Sequence, residues 1–154
     1  MSHEGVDVKK CAGMVLMSPD WQKIAVVENV GGRRSLPKGA IEKDEDAYTA
    51  ALRELHEETG FPPELVQSVQ PIGEYVRPRM SDLESRRKLK QMRLFLAQAN
   101  EHRDLIPQAG EIKSAEWLHV GEVAWFLSHP NDQEYFCNKV LPAIEEYKAK
   151  HRLK

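Results

Sequence analysis

Apolar residues fall along this chain in short blocks with two different rhythms. CAGMVLM (residues 11–17) and KIAVVENV (residues 23–30) are compact runs separated by SPDWQ, a stretch of turn formers. That pattern predicts two strands joined as a hairpin. Gly31-Gly32-Arg33-Arg34 follows as a flexible basic link into Ser35-Leu36-Pro37-Lys38-Gly39. From about Asp46 to Thr59 the rhythm changes: Tyr48, Ala51, Leu52 and Leu55 recur at helical spacing, with Asp44 or Asp46 as the N-cap. Gly60 stops this helix and Pro62-Pro63 prevents its resumption. Further strands are predicted at 72–77, 91–99 and 115–120, with a long polar connection between the first two. Helices are predicted at 122–127 and 134–149, the second amphipathic through Phe136, Val140, Leu141, Ile144 and Tyr147. Strands mixed with one central helix and C-terminal helices predict an α/β/α sandwich with a mixed sheet. It is expected to be a single domain over residues 1–154, with flexible ends at 1–9 and 149–154.

Composition narrows the class without naming a partner. The chain has 154 residues, 41% of them hydrophobic and 30% charged, with a formal net charge of -2, which suits a water-soluble globular domain with one core. Cys11 and Cys137 lie far apart and form no CxxC pair, so neither a disulfide framework nor a zinc site is expected. A reducing, cytoplasmic setting is expected, and a nuclear one is not ruled against. The apolar run at 11–17 is too short to span a membrane, so no membrane partner is expected; the oligomeric state is left open.

The charge pattern of the central helix is the first sign of chemistry. At 100° per residue, Glu54, Glu57 and Glu58 share an arc of about 100°, beside the apolar arc of Tyr48, Ala51, Leu52 and Leu55. Like charges at these spacings cost a few tenths of a kcal/mol each in water, and more if partly buried. A hard divalent cation, Mg²⁺ or Mn²⁺, would offset that cost, because carboxylate and carbonyl oxygens suit it and no His/Cys ligand set is nearby.

The spacing is more specific than the charge. Gly39, five residues, Glu45, seven residues, then Arg53-Glu54-Leu55-x-Glu57-Glu58-x-Gly60-Phe61 resembles the Nudix box of the Nudix hydrolases at every fixed position. The resemblance implies a metal-dependent enzyme that cleaves a diphosphate linked to another group. It implies Glu57 and Glu58 as metal ligands, Glu54 as a ligand or general base, and the Gly39 carbonyl as a further ligand. Arg53 and Glu45 would form a salt bridge that orients the carboxylates, with Gly60 closing the helix. Glu111, several residues before the Trp117 strand, is the candidate to complete the metal site or to serve as the base.

A second charge asymmetry bears on the substrate. Between residues 77 and 93, Arg77, Arg79, Arg86, Arg87, Lys88, Lys90 and Arg93 face only Asp82 and Glu84, a local net charge of +5. Lys10, Arg34 and Lys38 are expected to join the same field. Focused positive charge favours capture of a polyanion. Within the family, the Leu36-Pro37-Lys38-Gly39 segment resembles small hydrolases of diadenosine polyphosphates and of diphosphoinositol polyphosphates. Ala40 departs from the triple glycine common in the latter. The Pro-Lys-Gly and Glu-Glu-Thr-Gly-Phe segments also resemble mRNA-decapping Nudix domains, so an enzyme acting on RNA 5′ ends is the alternative. A non-catalytic nucleotide sensor is the remaining one.

Overall fold

The computed structural model of the chain describes residues 7–78 and 88–153. Among the described residues seven strands form one mixed sheet: β1 (Asp7–Met17), β2 (Lys23–Asn29), β3 (Arg34–Ser35), β4 (Lys38–Ala40), β5 (Val66–Pro78), β6 (Lys88–Ala99) and β7 (Ile112–His119). Their order is β3-β2-β1-β6-β5, with β4 paired to β1 and β7 to β2. Helix α1 (Ala47–Thr59) covers one face, while α2 (Val123–Phe126), α3 (Pro130–Tyr135) and α4 (Leu141–Lys150) belong to the other.

The predicted hairpin exists, but it opens immediately. Ser18 N–H donates to Lys23 O at 2.8 Å and Trp21 N–H to Ser18 O at 2.9 Å, closing the turn. Only Met17 and Ile24 then pair between β1 and β2. Beyond that point β1 takes β4 as partner, in the register Cys11↔Ala40, Ala12↔Gly39 and Gly13↔Lys38, while β2 pairs with β7. The approach of β4 is close: a Cβ on Gly13 would stand 2.7 Å from Lys38 Cβ and 2.8 Å from Pro37 O. Glycine at 13 is therefore a steric requirement of the fork.

Two cores lie on opposite sides of the sheet, as strand alternation demands. Val15, Met17, Leu94 and Leu96 meet Val123, Leu127, Phe136, Val140 and Ile144 on the C-terminal side. Ala12, Met14, Leu16 and Ala97 meet Ala50, Ala51 and Leu55 of α1, with Phe61. Alanines on the α1 contact face let the helix sit close to the sheet.

Several predicted boundaries are revised. The amino end is not free from residue 7, because Asp7, Val8 and Lys9 pair in parallel with Lys88, Leu89 and Lys90. At the other end α4 continues to Lys150. The connection between the fifth and sixth strands is shorter than expected, since β5 runs to Pro78 and β6 starts at Lys88; long polar side chains in these strands hid the period-2 signal. The single helix expected over 134–149 is α3, a π-turn at Phe136–Val140, and α4. Pro142 lies just beyond the π-turn and offers no N–H to a regular ladder. Asp46, not Asp44, caps α1, accepting the Thr49 N–H at 2.7 Å.

Gly60 ends α1 with φ 75°, and a Cβ there would stand 2.3 Å from Ile106 O. Gly60→Ala is expected to destabilise the fold by at least about 2 kcal/mol, combining left-handed strain with the carbonyl clash. Urea unfolding measures this; an unchanged midpoint would mean that the segment around Ile106 yields freely.

Candidate active site

Arg53 organises the carboxylate side of the site. Its Nε donates to Glu45 Oε2 at 2.8 Å and its Nη2 to Glu45 Oε1 at 2.9 Å and to Ala40 O at 2.9 Å. Nη1 reaches Glu54 at 2.9 Å and Glu57 at 3.3 Å. One planar guanidinium thus ties the loop before α1, the end of β4 and two turns of α1 together. The paired Arg53 guanidinium holds the Glu45 carboxyl down at about 2.

The remaining carboxylates are not similarly relieved. Glu58 is 8% exposed, and its Oε1 accepts the Lys38 backbone N–H at 3.1 Å. Burial pushes its carboxyl up to about 8; Lys38 opposes the shift, whereas Glu54 and Glu111 add to it. Glu54 is raised as well, chiefly by burial and against the pull of Arg53. The Glu54 carboxylate lies directly on Gly39, where an added Cβ would stand 2.1 Å from Glu54 Cδ. Gly39 is therefore fixed by the carboxylate it faces.

This donor set suits a hard divalent cation: the candidate ligands offer only oxygens, and two desolvated carboxyls of raised proton affinity await positive charge. The geometry is not closed, however. Among the described residues no three His, Cys, Asp or Glu side chains converge at metal-binding distance. Glu54 and Glu57 both point to Arg53, and the long Glu57 contact is the weaker. Glu111 is exposed in the turn before β7, where its carbonyl accepts the Val30 N–H at 2.9 Å.

A cleft opens where β1 and β2 part, lined by Asn29, Arg33, Arg34, Ser35, Lys38, Arg77, Lys90 and Asp132. Five cations against one acid make it strongly positive. Lys90 is pushed down to about 8 by burial and by the charges of Lys38 and Arg77, with Lys9 contributing. Lys38 belongs to both halves of the site: its backbone holds Glu58 and its side chain lines the cleft.

Strand alternation sorts the predicted basic residues. Arg77 pairs in register with Lys90 and Lys90 with Lys9, which places all three on the cleft face. Lys10 and Arg93 take the α1 face instead, and Arg93 is paired with Glu74 at 2.9 Å. The Arg34 guanidinium, through Nε, donates to Phe126 O at 2.6 Å and so also anchors the C-terminal helices. Lys88 lies in β6, while Arg79, Arg86 and Arg87 lie outside the described residues. Asp132 and His129 escaped the predicted site, and no local sequence signal marks either of them. Among the aromatic side chains, Phe136 is buried, Phe95 packs edge-on against Tyr48 and Trp117 against Phe61, whereas Trp125 is 87% exposed.

A family model for the NUDIX domain matches residues 9–139. The chain belongs to the NUDIX domain family. Among solved structures it is similar to an Ap4A hydrolase from C. elegans, with a TM-score of 0.70, 18% identity, and coverage of 94% of this chain and 98% of that one. It is similar also to the dihydroneopterin triphosphate pyrophosphohydrolase of E. coli, with a TM-score of 0.69, 17% identity, and coverage of 92% and 97%. Both likenesses concern the NUDIX fold. In sequence it is 41% identical over 75 residues to an RNA pyrophosphohydrolase of Roseobacter denitrificans, a match covering 44% of each chain. A protein of the same name from Rhodopseudomonas palustris is 32% identical over 79 residues, covering 47% of this chain and 42% of that one. The NUDIX chain thus matches under half the length of these relatives.

Burial of Glu58 fixes the pH behaviour of the metal-free NUDIX fold. An unfolded glutamate loses its proton near 4.5, whereas Glu58 keeps it to about 8. The Glu58 contribution to stability is therefore expected to decline as pH rises from about 4.5 to about 8, above which the depressed Lys90 acts in the opposite sense. Glu58→Gln should flatten this slope and melt higher than the parent at pH 8 in EDTA, and Mg²⁺ should raise the parent more than the variant. Thermal unfolding across pH checks it; parallel curves would refute the burial argument.

Proposed function

We propose that the chain is a divalent-metal-dependent hydrolase that cleaves a diphosphate bond in a highly anionic substrate. The observation that carries this reading is Lys38, which joins a buried carboxylate to a cleft lined by four further cations. Bound Mg²⁺ or Mn²⁺ would neutralise phosphate oxygens and lower the pKa of a bound water. Glu57, Glu58 and the Gly39 carbonyl would hold the metal, with Glu54 or Glu111 accepting the water proton. Arg53 sets the carboxylate directions, and the cleft cations draw in and orient the phosphates. A nucleoside polyphosphate such as a diadenosine polyphosphate, or a diphosphoinositol polyphosphate, suits this charge density.

The likeness to RNA pyrophosphohydrolases over about half the chain favours a second substrate, the polyphosphorylated 5′ end of RNA. The intact carboxylate set weighs against a pure sensor, which could lose Glu57 or Glu58 without penalty.

Diadenosine polyphosphates, diphosphoinositol polyphosphate, 5′-triphosphorylated RNA, capped RNA and ADP-ribose offered with Mg²⁺ separate these readings. The small polyphosphates are expected to turn over fastest; preference for RNA would replace them, and binding without turnover of any would leave the sensor. Glu58→Gln is expected to cut kcat at least about a hundredfold on the preferred substrate. Activity within a few-fold of the parent would remove Glu58 from the metal site.

A further inference from the structure

Three of the six buried polar side chains among the described residues stand together away from the carboxylates: Arg77, His129 and Asp132, at 4%, 7% and 9% exposure. Arg77 comes from β5, whereas His129 caps α3 and Asp132 lies in its first turn. His129 Nδ1 accepts the Asn131 N–H at 3.1 Å, which leaves the ring proton on Nε2 to donate to Pro78 O at 3.2 Å. Pro78 O also receives Arg77 Nη1 at 3.1 Å. Asp132 Oδ1 accepts the Tyr75 hydroxyl at 2.6 Å and lies 2.9 Å from Arg77 Nε, off the line of a hydrogen bond. The first turn of α3 thus braces the end of β5 on the cleft wall.

Such a brace is a poor way to gain stability. A buried ion pair loses much of its attraction to desolvation, and an apolar pair of similar volume does as well or better. Its distinctive product is a fixed direction for the Arg77 guanidinium, which lines the cleft beside Lys38 and Lys90. A planar guanidinium held in place is a ready partner for phosphate oxygens.

We propose that Asp132 is the positioning residue of an anion subsite in this cleft, fixing Arg77 to meet substrate phosphate groups beyond the scissile diphosphate. The subsite rests on the diphosphate-hydrolase reading only for the identity of that anion. Simple charge and positioning make opposite predictions here. Removing the Asp132 charge makes the cleft more positive, which by itself would tighten polyanion binding; loss of a positioned guanidinium would weaken it.

The test is calorimetric titration with inorganic tripolyphosphate in EDTA at low ionic strength, on variants checked by thermal unfolding. The parent is expected to bind. Asp132→Ala should weaken binding about tenfold, as the Arg77 guanidinium loses the ion pair that fixes its direction. Asp132→Asn, whose amide oxygen still accepts from Tyr75 and keeps a polar atom of the same shape beside Arg77 Nε, should stay within about threefold of the parent. Arg77→Lys keeps the charge but loses the fork, and should fall as Asp132→Ala does; it decides the matter if Asp132→Ala fails to fold. Tighter or equal binding by Asp132→Ala, or parental binding by Arg77→Lys, would overturn the proposal. So would a parent that does not bind tripolyphosphate, even if it hydrolyses substrate with Mg²⁺. Conversely, binding as expected without any turnover would keep the subsite and remove the hydrolase reading.

Discussion

The five N–H donors of Arg53 set the frame on which the carboxylates stand. Glu45, Ala40 O, Glu54 and Glu57 all take their direction from one rigid guanidinium. Lysine could supply the charge but not the fork. Because the same group binds loop, strand and helix, α1 cannot shift along its axis without breaking several contacts at once. Glu58 alone escapes this arrangement. It meets the Lys38 N–H instead, in the most desolvated surroundings of the set, which is why its proton affinity climbs the furthest.

The fork between β1 and β2 provides the other half of the site. A continuous hairpin would have sealed the sheet; parting after one residue pair leaves room for β4 and for the cleft beside it. Opposite charges then gather on either side of Lys38. Acids come from α1, and cations from β3, β4, β5 and β6. A polyanion lying across Lys38 would meet cations along one stretch, and at the carboxylates would meet repulsion unless a metal stood between.

Much of this was legible in the chain because it is local. The helix period, Asp46, Gly60 and the spacing from Gly39 to Phe61 are all set within 23 residues, and the structure places Glu45 and Arg53 in contact, as the family resemblance implies. The cleft depends on strand register, which spacing alone does not determine. Arg77 and Arg93 appear in one basic stretch, yet alternation sends them to opposite faces. Asp132 sits in a short polar helix with nothing local to mark it; only the docking of α3 on β5 brings it to Tyr75 and Arg77.

The parallel pairing of β1 with β6 carries a kinetic consequence. Every pair from Asp7↔Lys88 to Met17↔Gln98 joins residues about eighty positions apart, so loop-closure entropy must be met before any of these contacts gives a return. Both cores share these two strands, and the cleft takes Lys90 from β6. Local segments such as α1 can form early, but the cationic cleft has no partial version: it comes into being with the slowest, most non-local step of folding.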